Sequence, residues 1–253
     1  MHSLTKSESN WPSPSHIHAF VTTRGGGHSD GKFSTLNLAQ YVNDNPFAVA
    51  CNRALLRESI PYDLSFQWLD QIHSSSIVQI KVSGQEKKGD GLICKEPGIA
   101  CCILTADCLP IFFTNKSGTE IALAHAGWRG ICSGIIENLV NTMDSEPGDI
   151  IAWLGPGIGP CHYEVGAELK SRFKQSITST KLWADIEQCF YFAKGSNKFF
   201  LDLYQAAKVI LASVGVGQIY GGGECTYCQE DEYFSFRRDG DTGRMASVIF
   251  IEP

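Results

Sequence analysis

The sequence contains no long apolar run and no excess of basic residues. The first fifteen residues, MHSLTKSESNWPSPS, lack the apolar stretch and the small-residue cleavage site of a secretory signal. The most apolar internal segment is interrupted by Asp107 and Pro110. With 21 Lys and Arg against 27 Asp and Glu, the net charge is −6, which disfavours electrostatic binding to nucleic acid or to an anionic membrane. We therefore expect a cytoplasmic protein with neither as its partner.

Internal repeats, low-complexity blocks and long charge runs are also absent, which excludes solenoid and disordered chains. The 253 residues, 43% of them hydrophobic, suffice to bury a core without cross-links. The ten cysteines are therefore expected to be reduced thiols rather than a disulfide framework. The Pro- and Ser-rich residues 1–15 are expected to form a loose N-terminal tail, followed by a single catalytic domain over residues 16–253.

The apolar pattern predicts an α/β fold. Short β-rich runs occur at 17–23, 66–69, 77–82, 99–104, 109–113, 121–124, 150–154 and 246–251. Helical spacing of apolar residues is found at 46–58, 128–143, 165–173 and 201–214. Asn45 and Pro46 suit the N-cap and the first position of the first helix. Because several strands are apolar on both faces, helices are expected to cover the sheets.

Three short segments place unusual polar residues at the ends of apolar strands: QIHS at 71–74, TADCLP at 105–110 and AHAGWRG at 124–130. Their His73, Cys108 and His125 offer two imidazoles and one thiol, the donor types of a catalytic zinc that keeps an open position for water. The three residues lie 35 and 17 positions apart and form no local zinc-binding pattern. From the residues alone, a shared zinc site and three separate buried or capping side chains both stay open.

Other motifs accompany these three in a fixed order: TTRGG at 22–26, STLNL at 34–38, LGPGIGPC at 154–161, YEVG at 163–166, LDL at 201–203, CT at 225–226 and FSFRRDGDTGR at 234–244. With them, nearly the whole chain resembles the laccase-domain, or polyphenol oxidase, family. The better-supported members of that family are purine nucleoside phosphorylases that also have adenosine deaminase and methylthioadenosine phosphorylase activity.

The resemblance implies a metal site and a fold. It implies that His73, Cys108 and His125 bind the metal together, as a zinc site that also accepts copper in vitro. The implied fold is a single domain of layered mixed β-sheets flanked by helices, similar to the α/β/β/α fold of the cytotoxic necrotizing factor. The implied partners are purine nucleosides and phosphate, and the oligomeric state is left open.

Deamination of adenosine requires a hydroxide at neutral pH, which zinc supplies from its bound water. It also requires a group that moves protons, and Asp107 is the nearest candidate in sequence to Cys108. On a regular strand the two side chains would point to opposite faces, so Asp107 reaches the site only if a bulge or turn intervenes. The alternative is that Asp107 holds His73 or His125 in the correct tautomer.

Phosphorolysis requires an anion site. Arg24, followed by three glycines, offers a guanidinium beside a flexible loop, and Arg129 opens a predicted helix next to His125. Arg237, Arg238 and Arg244 form a second basic cluster, which either binds ligand or is neutralised by neighbouring aspartates. An ordinary surface turn is the alternative for Arg24.

Several further residues are candidates with a structural alternative. Asn37 offers an amide to a base or ribose, or stabilises a turn. Gln71 of QIHS is a candidate substrate-binding residue. Cys225 and Cys228 have the spacing of half a zinc site or of a redox pair, but no second such pair exists, and packing is the favoured interpretation.

Two other enzyme classes remain open. The older family name implies a copper-dependent phenol oxidase, yet a conventional multicopper oxidase uses roughly ten histidines, and this chain has seven, including the HxH pair His16 and His18. A cysteine hydrolase would use Cys108 as a nucleophile with His125 or His73 as its base. It would cleave amides, in line with family members linked to editing of peptidoglycan precursors. A non-catalytic binding protein is disfavoured by the intact ligand set.

Overall fold

Two β-sheets packed face to face form the centre of the fold. The computed structural model describes residues 4–193, 195 and 197–253. The strands are β1 (Lys6–Glu8), β2 (Ile17–Thr22), β3 (Ser65–Gln67), β4 (Leu69–Asp70), β5 (Ile77–Ile80), β6 (Lys87–Lys88), β7 (Gly91–Cys94), β8 (Ile99–Thr105), β9 (Leu109–Asn115), β10 (Ile121–Ala126), β11 (Ile150–Leu154), β12 (Glu164–Gly166), β13 (Phe190–Phe192), β14 (Lys198–Leu201), β15 (Gln218–Gly221) and β16 (Met245–Ile251). The helices are α1 (Pro46–Glu58), α2 (Trp128–Cys132), α3 (Ile135–Thr142), α4 (Ala167–Ser176), α5 (Thr180–Glu187), α6 (Leu203–Ser213) and α7 (Phe236–Asp239).

Both large sheets mix parallel and antiparallel pairs. The five-stranded sheet has the order β1-β2-β16-β8-β3, and the six-stranded sheet has the order β15-β11-β9-β10-β7-β5. In the second sheet, β9 and β10 are antiparallel neighbours, whereas β11 pairs in parallel with β15. The described residues also form two smaller sheets, β12-β14-β13 and β4-β6.

Three apolar cores separate four layers. Side chains such as Val21 and Ile103 of the five-stranded sheet and Phe112 of the six-stranded sheet share the core between the sheets. The outer face of the five-stranded sheet packs against Leu56 of α1. The outer face of the six-stranded sheet packs against the helices, among them Leu139 of α3. Burial on both faces explains the continuous apolar runs of β8, β9 and β10. The expected α/β architecture of layered sheets flanked by helices is confirmed.

Most predicted elements match the observed ones to within a few residues, and one predicted helix is divided. Helix α1 has the predicted bounds, and the Asn45 side chain accepts the N–H of Phe47, so the predicted N-cap is confirmed. The apolar pattern over 128–143 predicts one helix, but α2 ends before Gly134, whose φ of +84° interrupts the helix. The pattern continues across the break because α3 buries the same face on the six-stranded sheet.

The expected loose tail is corrected over part of its length. Residues 1–3 lie outside the described part of the chain, but β1 pairs antiparallel with β2, in the register Lys6 to Thr22. Trp11 is also buried, in the core between the sheets. These residues are held because β1 supplies the edge of the five-stranded sheet, so the predicted boundary at residue 16 is too late.

The structure contains all ten cysteines as free thiols. Of the helices in the described residues, none has the length and apolar character needed to span a membrane.

Candidate metal centre and active-site cavity

The two imidazoles and the thiol singled out in the sequence meet at one place. One ligand atom from each of His73, Cys108 and His125 lies within 4.8 Å of the other two. The two imidazole rings stand edge to face, with centroids 4.8 Å apart. His125 is 4% exposed, Cys108 is half-buried and His73 is exposed. The set is thus anchored on one side and open on the other.

The local backbone conformation orients the side chains of His73, Cys108 and His125 toward one another. His73 follows β4 and has a φ of +58°, and Cys108 follows a bend in which Asp107 has a φ of +91°. His125 lies in β10, paired with Pro110 of β9. Gly127 completes the arrangement, because a Cβ there would lie 2.8 Å from Cys108 Sγ. The close approach of this backbone to the thiol therefore requires glycine.

A fourth residue, Asp90, organises the set and was missed in the sequence. Its fully buried carboxylate accepts the Nδ1–H of His125 at 2.8 Å and the backbone N–H of His73 at 2.9 Å. It also accepts both the backbone N–H and the hydroxyl of Ser74, at 2.6 and 2.8 Å. With Nδ1 of His125 as a donor, Nε2 is the ring nitrogen left to bind a metal. The signal available in the sequence was an acidic residue directly before the apolar strand β7.

Mutual electrostatics favour the ionised forms of Cys108, His125 and Asp90. Burial alone would raise the pKa of the Cys108 thiol, but the charges and hydrogen bonds of His125 and His73 lower it to about 6. Burial alone would lower the pKa of His125, but the Cys108 thiolate and the Asp90 carboxylate raise it to about 9. Burial also works to raise the pKa of Asp90, and the hydrogen bonds from His125 and Ser74 outweigh it and bring it to about 2. A soft thiolate beside two imidazoles is a donor set that suits zinc, and also copper.

The set opens into a cavity of about 760 Å³. The cavity combines basic, acidic and aromatic side chains: Gln40, Tyr41, Arg53, Leu69, Asp70, Gln71, His73, Glu86, Leu104, Thr105, Ala106, Asp107, Cys108, His125, Trp128, Arg129, Ile158, Tyr163, Leu203, Phe236, Arg237 and Arg244. Its volume and its mixed lining are those of a site for a small organic molecule with charged groups. Of the candidates from the sequence, it includes Asp107, Gln71, Arg129, Arg237 and Arg244 besides His73, Cys108 and His125.

Asp107 lies in the cavity wall because β8 ends at Thr105 and a bend precedes β9. This bend is the interruption that Asp107 needs to reach the same site as Cys108. Its carboxylate accepts the hydroxyl of Thr226 and the backbone N–H of Arg237, both at 2.7 Å. The alternative in which Asp107 fixes the tautomer of a histidine is wrong for His125, because Asp90 makes that bond. Gln71 pairs its side-chain amide with the backbone of Leu104, which fixes its place in the wall.

Three predicted binding residues, Arg24, Asn37 and Arg238, do not line this cavity. The Arg24 guanidinium donates to the backbone carbonyls of Ser34 and Glu230 and packs on the ring of Phe234. Arg24 therefore links the loops that contain these residues. Asn37 is fully buried, and its amide bonds within the turn and to the N–H of Arg244.

Arg238 likewise donates to three backbone carbonyls, those of Thr226, Tyr227 and Tyr233. In each case a flexible polar side chain satisfies buried backbone acceptors, a role that residue type alone does not reveal.

The cavity also contains residues that the sequence did not single out. Arg53 comes from α1, Tyr163 from the loop before β12, and Tyr41 and Phe236 are 62% and 57% exposed. Arg244 was part of the predicted basic cluster, and its guanidinium faces the same space. Two large exposed aromatic side chains beside one cavity are a signal visible only in three dimensions.

The HxH pair lies apart from the metal set. His18 stacks on Phe250 at a centroid distance of 4.8 Å, and His16 Nε2 lies 3.1 Å from the carbonyl of Gly118. Neither belongs to a group of metal-binding side chains in the described residues.

Residues 18–252 match the family model described as multi-copper polyphenol oxidoreductase laccase. The chain belongs to this family. Among relatives, a purine nucleoside phosphorylase of Haemophilus influenzae is 42% identical over 243 residues, covering 96% of this chain and 98% of the relative. The purine nucleoside phosphorylase YfiH of Escherichia coli is 41% identical over 244 residues, covering 95% and 96%.

Solved structures show the same fold. The Neisseria meningitidis protein NMB0706 superposes with a TM-score of 0.91 at 38% sequence identity, over 99% of this chain and 100% of that one. Membership of the polyphenol oxidoreductase laccase family thus agrees with the resemblance found in the sequence motifs.

Proposed function

We propose that this protein is a zinc-dependent purine nucleoside enzyme that carries out both phosphorolysis of nucleosides and deamination of adenosine. The observation that carries the proposal is the convergence of two imidazoles and one thiol at the wall of a cavity rich in arginine and aromatic residues. The relatives named purine nucleoside phosphorylase support the substrate class. A cytoplasmic location accompanies the proposal as a prediction.

The proposed metal ligands are His73, Cys108 and His125. The fit rests on their donor atoms, on the orientation of His125 by Asp90, and on the exposed side of His73, which leaves room for a further ligand. When bound, zinc would lower the pKa of a water molecule enough to supply hydroxide for attack on the purine carbon that carries the amine.

Two cavity residues, Asp107 and Tyr163, are assigned roles in proton transfer and hydrogen-bond donation. The Asp107 carboxylate, 9% exposed and held by Thr226 and Arg237, is placed to accept and return a proton beside Cys108. Burial raises the pKa of the Tyr163 phenol, so this hydroxyl is a hydrogen-bond donor at neutral pH. The Tyr163 ring is in turn fixed by the Arg237 guanidinium, 5.0 Å from its centroid.

Phosphate is assigned to Arg129 rather than to Arg24. The Arg129 guanidinium lines the cavity and makes no hydrogen bond or ion pair with the described residues, so its donors are free for an anion. Arg244 is a second cation of the same cavity, although its Nη1 already donates to Thr242 and Gly243. The aromatic faces of Tyr41 and Phe236 suit a purine ring. Adenosine, inosine, guanosine and methylthioadenosine share that ring and a ribose, and all four are proposed substrates.

The deciding experiment uses protein purified without added copper. Its metal content is measured, and adenosine and inosine are each incubated with and without phosphate. We expect zinc, release of hypoxanthine from inosine only when phosphate is present, and conversion of adenosine to inosine without phosphate. Cys108→Ala should lose both activities and the zinc held with His73 and His125, whereas Cys51→Ala, a half-buried thiol on α1, should keep that zinc and both activities. Full turnover by Cys108→Ala would refute the proposal.

A cysteine hydrolase is the second candidate, and one observation favours it. Cys108, His125 and Asp90 form a chain of thiol, imidazole and carboxylate in which the pKa of Cys108 is lowered to about 6, after the opposing effect of burial, by His125 and His73. Zinc binding and nucleophilic attack are exclusive uses of this thiolate. Amide cleavage that survives a chelator and ends on alkylation of Cys108 would favour the hydrolase.

Copper-dependent oxidation of phenols is the activity that the family description names. Copper would occupy the same three ligands with higher intrinsic affinity than zinc. Oxidase activity that disappears in metal-free protein reloaded with zinc alone would mark it as a property of adventitious copper.

A further inference from the structure

Four metal-binding side chains outside the cavity lie together near the surface. Cys161 and His162 come from the loop after β11, and Cys225 and Cys228 come from the turn after β15. Each offers one ligand atom, and these atoms all lie within 4.8 Å of one another. Cys161 and Cys228 are 67 positions apart in the sequence, so the spacing of Cys225 and Cys228 alone did not reveal the group.

Sheet pairing brings the two loops together. Strands β11 and β15 are parallel neighbours, and their last pair is Leu154 with Gly221. Beyond that pair, Gly157 forms an isolated bridge with Cys225, and the N–H of Thr226 donates to the carbonyl of Gly157 at 3.0 Å. The backbone therefore places the four side chains without help from a ligand.

Four of the six distances between donor atoms fit a tetrahedral metal site. Cys161 Sγ lies 3.7 Å from Cys225 Sγ and 3.4 Å from Cys228 Sγ. His162 Nδ1 lies 3.3 Å from the sulfur atoms of both Cys161 and Cys228. Tetrahedral zinc, with bonds of about 2.3 Å to sulfur and about 2.0 Å to nitrogen, separates its donors by about 3.5 to 3.8 Å. These four edges are within a few tenths of an ångström of that geometry.

Neighbouring groups suit a thiolate-rich site. The backbone N–H of Gly159 donates to Cys225 Sγ at 3.2 Å, a bond that strengthens when the sulfur is ionised. A Cβ at Gly159 would lie 3.2 Å from that sulfur, so glycine allows the close approach. The His162 ring stacks on Tyr227 with centroids 3.9 Å apart, which fixes the imidazole with Nδ1 among the sulfur atoms.

We propose that Cys161, His162, Cys225 and Cys228 form a second metal site, a closed site of three cysteines and one histidine for structural zinc. Its four protein ligands complete a tetrahedron, whereas the set of His73, Cys108 and His125 has three ligands and opens into the cavity. The two sites are therefore expected to have different roles, one structural and one catalytic.

The second site is hydrogen-bonded to two residues of the cavity wall, Asp107 and Arg237. Thr226, which lies between its two turn cysteines, donates to Asp107 at 2.7 Å. Arg237, a cavity residue, donates to the carbonyl of His162 at 3.3 Å. Zinc that joins the two loops would therefore hold Asp107 and Arg237 in position from outside the cavity.

Metal stoichiometry of the full chain tests the proposal without any substrate, so its outcome is independent of the proposed catalysis. Protein is stripped with a chelator, reloaded with Zn²⁺ and desalted. We expect about two zinc ions per chain in the wild type and about one in Cys228→Ser, in Cys161→Ser and in Cys108→Ala. Cys132→Ser, a half-buried thiol outside both sites, should keep both ions. Circular dichroism establishes that each variant is folded.

Co²⁺ identifies the ligands of each ion. Because charge-transfer absorbance grows with the number of thiolates, a folded Cys161→Ser/Cys228→Ser variant should keep only the weaker signal of the site with one thiolate, about a quarter of the total. The proposal is overturned if Cys228→Ser binds as much zinc as the wild type. It is also overturned if the mass of the non-reduced protein shows a Cys161–Cys228 disulfide that persists when zinc is offered, which would make the pair a redox site.

Discussion

Asp90 and His125 are joined by two hydrogen bonds, one between their side chains and one between their backbones. Asp90 Oδ1 lies 2.8 Å from His125 Nδ1, and the backbone N–H of His125 donates to the Asp90 carbonyl at 2.7 Å. The same carboxylate accepts the N–H of His73, so one buried residue orients two proposed metal ligands. Residues that orient ligands in this way commonly matter almost as much as the ligands themselves.

Asp90→Asn should therefore weaken zinc binding by about 10- to 100-fold. The amide removes the charge that favours the Nδ1–H tautomer and can accept fewer of the five hydrogen bonds that the carboxylate now receives. Competition with a chromophoric chelator measures the affinity. Asp70→Asn, an exposed carboxylate in the cavity lining, is the matched control and should bind zinc as the wild type does. Equal affinities for Asp90→Asn and wild type would contradict the role given to Asp90.

The apolar pattern predicted the α/β class and singled out three residues at strand ends, whereas the layering of the sheets and the shared metal site were implied by the family resemblance. Continuous apolar runs mark strands buried on both faces, and His73, Cys108 and His125 stand where such runs end. Asp90 and Asp107 show the limit of that reasoning. Both are acidic residues next to apolar strands, and only the fold determines that Asp90 contacts His125 while Asp107 contacts Thr226 and Arg237.

Local sequence patterns did not reveal which groups each arginine contacts, nor which residues distant in sequence lie together in the fold. Arg24 and Arg129 both adjoin glycine, yet Arg24 satisfies backbone carbonyls while Arg129 faces the cavity. Cys161 meets Cys225 only because β11 and β15 are parallel neighbours. Such information lies in strand order, which the sequence motifs do not encode individually.

Gly127→Ala should lower metal affinity without unfolding the protein. The backbone at Gly127 has a φ of −71° and a ψ of 164°, which alanine adopts freely, so the added Cβ acts only through its contact 2.8 Å from Cys108 Sγ. The thiol must move, and we expect a loss of zinc affinity of at least about tenfold with a small change in melting temperature. Gly148→Ala is the control, because its Cβ would meet nothing within 4 Å. Unchanged zinc affinity in Gly127→Ala would show that Cys108 is not held at this contact.

Alkylation of Cys108 in metal-free protein should remain fast at mildly acidic pH. Burial alone would raise the pKa of this thiol, but His125 and His73 lower it to about 6, and only the thiolate reacts. The rate should be half-maximal near pH 6, nearly constant above about pH 7, and should approach a tenfold fall per pH unit below about pH 5. Peptide mapping by mass spectrometry follows Cys108 separately from the exposed Cys161 and Cys228. A rate that keeps rising between pH 7 and 9 would contradict the pairing of a Cys108 thiolate with a charged His125 imidazole. Protection of Cys108 from alkylation by added zinc would show that this thiol binds the metal.

Arg129→Gln and Arg24→Gln should separate anion binding from loop stability. Removing the Arg129 guanidinium deletes a charged donor that makes no hydrogen bond or ion pair with the described residues, so the KM for phosphate should rise about tenfold or more while deamination of adenosine is retained. Arg24→Gln should lower the melting temperature, because the carbonyls of Ser34 and Glu230 lose their donor, and should leave the KM for phosphate near that of the wild type. If Arg24→Gln alone raised the phosphate requirement, the anion would bind at the glycine-rich loop rather than in the cavity. Equal loss of both activities in Arg129→Gln would instead place this guanidinium on the nucleoside, since phosphate takes no part in deamination.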